Sequence, residues 1–171
     1  MNLNFKPSRT QTIGNIGEQW AYDQLTKRGY DVIAVPDYFK GCADLKIGTL
    51  PVEVKYSRIS YRSKRLVSGK RRWYKRWQWN VSELDSADRV LFLIAEDKAG
   101  IRHPFIMPGA IMADRQQFEI SRHPTEYKGF VKGYLNRWET VDLLLAQSYY
   151  DDRQFTIYHY LVNGEDNANQ G

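Results

Sequence analysis

The sequence predicts a single α/β domain, and three observations carry that reading. Residues 12–28 repeat apolar side chains at a helical period and stop at Gly29. Short apolar runs with strand spacing follow between Tyr30 and Tyr56. Later in the chain "RVLFLIA" is a near-continuous apolar run, fit for the middle of a sheet. A chain of 171 residues can fill one core and is short for two full domains.

Residues 1–11 are polar and read as a flexible arm, 12–163 as the domain, and "GEDNANQG" at 164–171 as a disordered tail with nothing to bury. In the first helix Ile13, Ile16, Trp20, Ala21 and Leu25 share one face, and Gly29 suits a C-terminal stop. "YDVIAV", "ADLKI" and "PVEVKY" read as three strands, the last two joined as a hairpin across the Gly-Thr-Leu-Pro break at 48–51. Residues 58–76 differ in kind, holding nine basic residues and no acid. "RWYKRWQWNV" alternates, with Trp73, Trp77, Trp79 and Val81 on one side and Arg72, Arg76, Gln78 and Asn80 on the other, so it reads as a strand with core tryptophans. A short helix at "SELDSA", a strand in "PFIMPGAIM" and a terminal helix in "RWETVDLLLAQSYY" complete the domain.

Bulk chemistry narrows the function. A net charge of +5 favours a polyanionic partner. Lone Cys42 excludes an internal disulfide and any multi-cysteine zinc or iron–sulfur site. His103, His123 and His159 are far apart without ligand spacing, and each is read as a surface or satisfied core histidine. With no signal peptide and no apolar run of about 20 residues, the expectation is a cytoplasmic protein without membrane spans.

The chemistry concentrates in "GCADLKIGTLPVEVKYSR", residues 41–58. An acid two residues before a lysine occurs three times: Glu53 with Lys55, Glu96 with Lys98, and Glu126 with Lys128. The last two pairs adjoin turn residues, where a solvated turn explains them. Glu53 and Lys55 lie inside an apolar strand, on the face opposite Val52, Val54 and Tyr56. Pairing the two strands as a hairpin brings Asp44 towards Glu53, and two converging carboxylates repel unless a cation lies between them. Hard oxygen donors fit Mg²⁺ or Mn²⁺, with the Val54 backbone carbonyl as a further ligand and Lys55 beside the attacking water or a phosphate oxygen. On the helix, Gly14, Gly17 and Ala21 form a small-residue stripe that allows close approach to the sheet and brings Glu18 to the carboxylate pair. The competing explanation is an ordinary salt bridge between Glu53 and Lys55.

The stretch Ile13–Arg58, "IGNIGEQWAYDQLTKRGYDVIAVPDYFKGCADLKIGTLPVEVKYSR", resembles the core of the PD-(D/E)XK nuclease superfamily. "GNIGE", "GYDVI", "ADL" and "VEVK" look most like the archaeal-type Holliday junction resolvases. The resemblance implies a restriction-endonuclease-like mixed central sheet flanked by helices. It implies Asp44 and Glu53 as metal ligands, Lys55 as catalytic lysine and Glu18 as the assisting acid. The literal Pro-Asp pair is Pro36-Asp37, so Asp37 rivals Asp44; no apolar strand follows it directly, and Asp44 is favoured. The Trp-rich strand and long C-terminal half are closer to restriction-type or mobile-element (homing-like) nucleases.

The expected activity is therefore Mg²⁺- or Mn²⁺-dependent hydrolysis of phosphodiester bonds in duplex or branched DNA, by a homodimer where both strands are cut. Arg58, Arg62, Lys64, Arg65, Lys70, Arg71, Arg72, Lys75 and Arg76 are the expected phosphate contacts, projecting near the site. A non-cutting nucleic-acid-binding module and a protein-interaction domain using the Trp-rich strand are the alternatives.

Overall fold

In the computed structural model, residues 9–35, 43–82 and 89–150 are described. Helix α1, Arg9–Lys27, starts earlier than the sequence pattern marks, taking in the last residues assigned to the arm. Its end is the expected one. Gly29 adopts φ +87°, and the N–H groups of Arg28, Gly29 and Tyr30 cap the last carbonyls, those of Leu25 and Thr26.

Among the described residues eight strands follow: β1 Val32–Ala34, β2 Leu45–Ile47, β3 Leu50–Arg58, β4 Ser60–Arg65, β5 Arg71–Asn80, β6 Val90–Glu96, β7 Arg102–Pro108 and β8 Gln117–Ile120. Strands β1-β2-β3-β6-β7 form a five-stranded sheet in that order, and β4-β5-β8 form a three-stranded one. Among the described strands only β3 and β6 run parallel, Glu53 opposite Leu91 and Lys55 opposite Leu93, so the central sheet is mixed. The expected β2–β3 hairpin is present, tightened to a two-residue turn in which Gly48 takes φ +59° and Ile47 pairs with Leu50. The strand expected in "PFIMPGAIM" is β7, but the last four residues of that segment form a 3₁₀ turn instead, Gly109–Met112. A second helix, α2, covers residues 139–150.

The central sheet is covered differently on its two faces. On one, Val52, Val54, Val90, Phe92, Ile94 and Ile106 pack with Ala21 and Leu25 of α1 and Val141 of α2. Gly17 permits the contact: a Cβ there would stand 2.5 Å from the Tyr56 Cβ, closer than packed carbons come. On the other face, Leu91, Leu93, Phe105 and Met107 pack against Trp77, Trp79, Val81, Phe118 and Ile120 around the second sheet. The indole N–H groups of Trp77 and Trp79 donate to the carbonyls of Glu96 and Ile94, so both rings are buried with their polar atoms satisfied. Trp73, grouped with them by period two, is 63 % exposed, because it lies on β5 before the strand reaches the sheet. The molecule is thus a mixed α/β fold with a helix layer on one side of a central mixed sheet and a small antiparallel sheet on the other.

The basic segment is ordered rather than a loop. β4 and β5 form a regular hairpin from Ser60 opposite Arg76 to Arg65 opposite Arg71, turning through Leu66–Lys70 with Gly69 at φ +78°. The "SELDSA" helix, Asp37, Cys42, His159 and the tail lie outside the described residues, apart from Ser82. Among the described residues, no helix is long and apolar enough to cross a membrane.

Candidate active site

The residues nominated in "ADLKIGTLPVEVK" come together at one end of the central sheet. Two neighbours in the hairpin fix Asp44. Its N–H donates to the Val52 carbonyl (3.1 Å), and its Oδ2 accepts the Val54 N–H (2.7 Å). The Val54 N–H is thus engaged by Asp44, on the side of β3 to which the Val54 carbonyl also points. Glu53, only 8 % exposed, leans against two cations: Lys55 Nζ lies 2.6 Å from Oε1, and Arg89 Nη1 lies 3.4 Å from Oε2. Arg89 is buried as well.

Electrostatics report the same convergence. The Asp44 carboxyl is pushed up to about 6, first because burial strips it of water and next because the Glu53 charge lies beside it. The Val54 N–H and Lys55 pull it down, while Glu18 on α1 pushes it up. Glu18 and Asp44 also line one cleft of about 430 Å³, with Asn15, Gln19 and Tyr22 of α1 and Ala34, Val35 and Leu45 of the sheet. The close approach enabled by Gly17 is what lets a helix acid enter this group.

Asp44 and Glu18 on the cleft, with Glu53 and Lys55 beside Asp44, can hold a hard divalent cation. The donors are all oxygen, and the raised Asp44 carboxyl reflects its burial first and the neighbouring Glu53 charge second. Arg89 had no signal in the sequence: it precedes "VLFLIA" by one position and resembles any strand-flanking arginine. Only the parallel pairing of β3 with β6 brings it to Glu53, 36 residues earlier.

The basic residues, expected to project near the site, lie on the hairpin that follows β3. The hairpin leaves β3 after Arg58, five residues beyond Glu53 or about 17 Å along the strand. Arg58 is engaged at its root, pairing with Glu96 (3.2 Å) and reaching the Tyr56 hydroxyl (3.3 Å). Arg76 pairs with Glu119 at 2.7 Å. Glu96, read from the sequence as part of a solvated turn, ends β6 and accepts from the Tyr56 hydroxyl and from Arg102 (3.0 Å). Arg62, Lys64, Arg65, Lys70, Arg71 and Arg72 lie on the outer part of the hairpin, Lys64 and its neighbours facing solvent, and Lys75 is half-buried nearer its root. There Lys64 faces Arg72 and Arg65 faces Arg71 in direct register, an arrangement in which like charges repel.

No family model matches this chain, and neither does any curated protein. Among solved structures the fold is similar to that of a bacterial homing endonuclease, I-Ssp6803I. The TM-score is 0.52 at 16 % sequence identity, over 83 % of this chain and 97 % of that one.

Proposed function

We propose that the chain is a divalent-metal-dependent DNA endonuclease of the PD-(D/E)XK type, acting on duplex DNA in the manner of a homing endonuclease. The observation that carries this reading is the partly desolvated meeting of Asp44 with Glu53, Glu18 and Lys55 at one end of a nuclease-like sheet. The likeness to a homing endonuclease supports a duplex substrate over a four-way junction.

In this reading Asp44, Glu53 and Glu18 hold Mg²⁺ or Mn²⁺. A cation there supplies positive charge that makes water more acidic and neutralises charge building on the phosphate. Lys55, tethered by Glu53 but still 26 % exposed, presents its remaining N–H donors to a non-bridging phosphate oxygen. Arg89 holds the second Glu53 oxygen, so that the carboxylate keeps one orientation. The basic hairpin holds the duplex backbone, since facing cations on β4 and β5 are relieved by phosphates. Residues 12–163 act as one nuclease unit, and two copies cut the two strands.

The test is incubation of the purified protein with linear duplex, supercoiled plasmid and four-way junction, in Mg²⁺, Mn²⁺ or EDTA. Cutting of duplex and plasmid in either metal, none in EDTA, and at least a ~100-fold loss in Glu53→Ala and Lys55→Ala is expected. DNA binding and folding should persist in both variants. Full activity in those variants removes the site. Selective cutting of the junction favours the resolvase alternative instead.

A further inference from the structure

Two histidines that have no ligand spacing in the sequence meet in the fold. β6 ends at Glu96, and Asp97 opens the turn into β7. His103 is the second residue of β7, and His123 follows β8 just before a short 3₁₀ turn at Pro124–Glu126. The rings of His103 and His123 stand edge to face with centroids 4.8 Å apart. His103 Nε2 lies 3.0 Å and His123 Nε2 3.5 Å from the same oxygen, Asp97 Oδ2. One donor atom from each residue falls within 4.8 Å of the others.

The group is preorganised. Asp97 Oδ1 accepts the N–H groups of Ala99 (2.8 Å) and Ile101 (2.9 Å), which fixes the carboxylate plane and leaves Oδ2 to the histidines. His123 Nδ1 accepts the Thr125 N–H (3.4 Å) and lies 2.8 Å from Thr125 Oγ1, which fixes the ring with Nε2 turned towards Asp97. The edge of the His123 ring rests against Trp77 in the core. The Asp97 and His103 side chains are each 12 % exposed and His123 26 %, so the donors are sheltered but reachable.

We propose that Asp97, His103 and His123 form a transition-metal site, occupied by Zn²⁺, that clips the second sheet to the central one. Two imidazoles and one carboxylate are a borderline donor set, which favours Zn²⁺ over Mg²⁺ and leaves a fourth position for water. The ligands come from the β6–β7 turn, from β7 and from the segment after β8, so they join the central sheet to the second one. Asp97 is six residues along β6 from Leu91, the partner of Glu53, or about 20 Å from the carboxylate cluster. The clip therefore sits at the opposite end of the sheet, beside Glu96 and the root of the basic hairpin, and is independent of the nuclease reading.

The experiment uses the full chain, stripped with chelator and dialysed, then titrated with ZnCl₂ and separately with CoCl₂. One Zn²⁺ per chain by elemental analysis is expected. So is a rise in melting temperature of about 5–10 °C at a hundredfold excess over the dissociation constant. Co²⁺ should give the intense visible bands of a tetrahedral N/O site, which needs no variant. His103→Gln and His123→Gln should lose the Co²⁺ spectrum and weaken Zn²⁺ at least ~10-fold. Circular dichroism checks that each variant folds. Asp44→Asn combined with Glu53→Gln should keep both signals, separating this site from the carboxylate cluster. Absence of stoichiometric Zn²⁺ and of a tetrahedral Co²⁺ spectrum in the unmodified chain overturns the proposal. So does loss of both in the Asp44/Glu53 double variant alone.

Discussion

Asp44→Asn should abolish cleavage and at the same time stabilise the metal-free protein. The Asp44 carboxyl is raised from 3.8 to about 6 on folding, so the folded state binds its proton more tightly than the unfolded chain does. The sign follows from linkage: ionising Asp44 costs the fold nothing below pH ~4, and the cost grows through pH ~6 to its full value above it. About two pH units correspond to roughly 3 kcal/mol at most. Local relaxation and water in the open cleft reduce this to about 1–2 kcal/mol, or some 3–8 °C in melting temperature for a chain of this size. Thermal unfolding in EDTA at pH 7.5 should therefore place the variant above the parent, and the gap should close as the pH falls to 4. Excess Mg²⁺ or Mn²⁺ at pH 7.5 should narrow the gap by raising the parent alone. A variant that melts at or below the parent at pH 7.5, or a gap independent of pH, refutes the claim that burial and neighbouring carboxylates oppose the Asp44 charge.

Two further outcomes test how the site is positioned and fed with substrate. Gly17→Ala inserts a Cβ 2.5 Å from Tyr56 Cβ and should cost about 1–3 kcal/mol by forcing α1 off β3, read by chemical denaturation, with DNA cleavage falling as Glu18 withdraws. Replacing Lys64, Arg65, Arg71 and Arg72 by glutamine should lower the salt dependence of DNA binding by about 0.9 in log–log slope for every phosphate no longer neutralised. Melting temperature should not fall in that variant, because facing like charges are removed; an unchanged slope would take the hairpin out of the DNA interface.

The parts of the site that could be read from the chain are those that depend on local geometry. Asp44 and Glu53 are nine residues apart across a two-residue turn, and strand alternation alone puts Lys55 on the Glu53 face. Glu18 became legible through Gly17 and Ala21, since a stripe of small residues announces a close helix contact. Arg89, His103 and His123 were invisible for the opposite reason. Each reaches its partner through non-local pairing: Arg89 through the parallel β3–β6 register, His103 through the β6–β7 register that sets it opposite Ala95, and His123 through the attachment of β8 to β5. The basic run was legible as a charge pattern but not as a hairpin: the alternation from Arg72 to Val81 revealed the second strand, whereas Ser60–Arg65 shows no apolar alternation and no core face that would reveal the first.

The position of Asp44 also has a backbone logic. β2 pairs with β3 only from Leu50 to Val52, whereas β3 runs on to Arg58. Beyond Val52 that flank of β3 therefore has no strand partner among the described residues, and the next N–H on that side, from Val54, needs an acceptor. Asp44 Oδ2 provides it at 2.7 Å, one residue before β2 begins. The short second strand thus does two things at once: it opens the flank of β3 into a cleft, and it makes a side-chain oxygen necessary at the mouth of that cleft. An ionised carboxylate is a stronger acceptor than the bond requires, and its charge is what the nearby Glu53 and Glu18 oppose. Asparagine at this position keeps an oxygen for the Val54 N–H and removes only the charge. The stabilisation expected of Asp44→Asn is consequently a measure of what burial and neighbouring carboxylates cost the charge, separate from the hydrogen bond that anchors it.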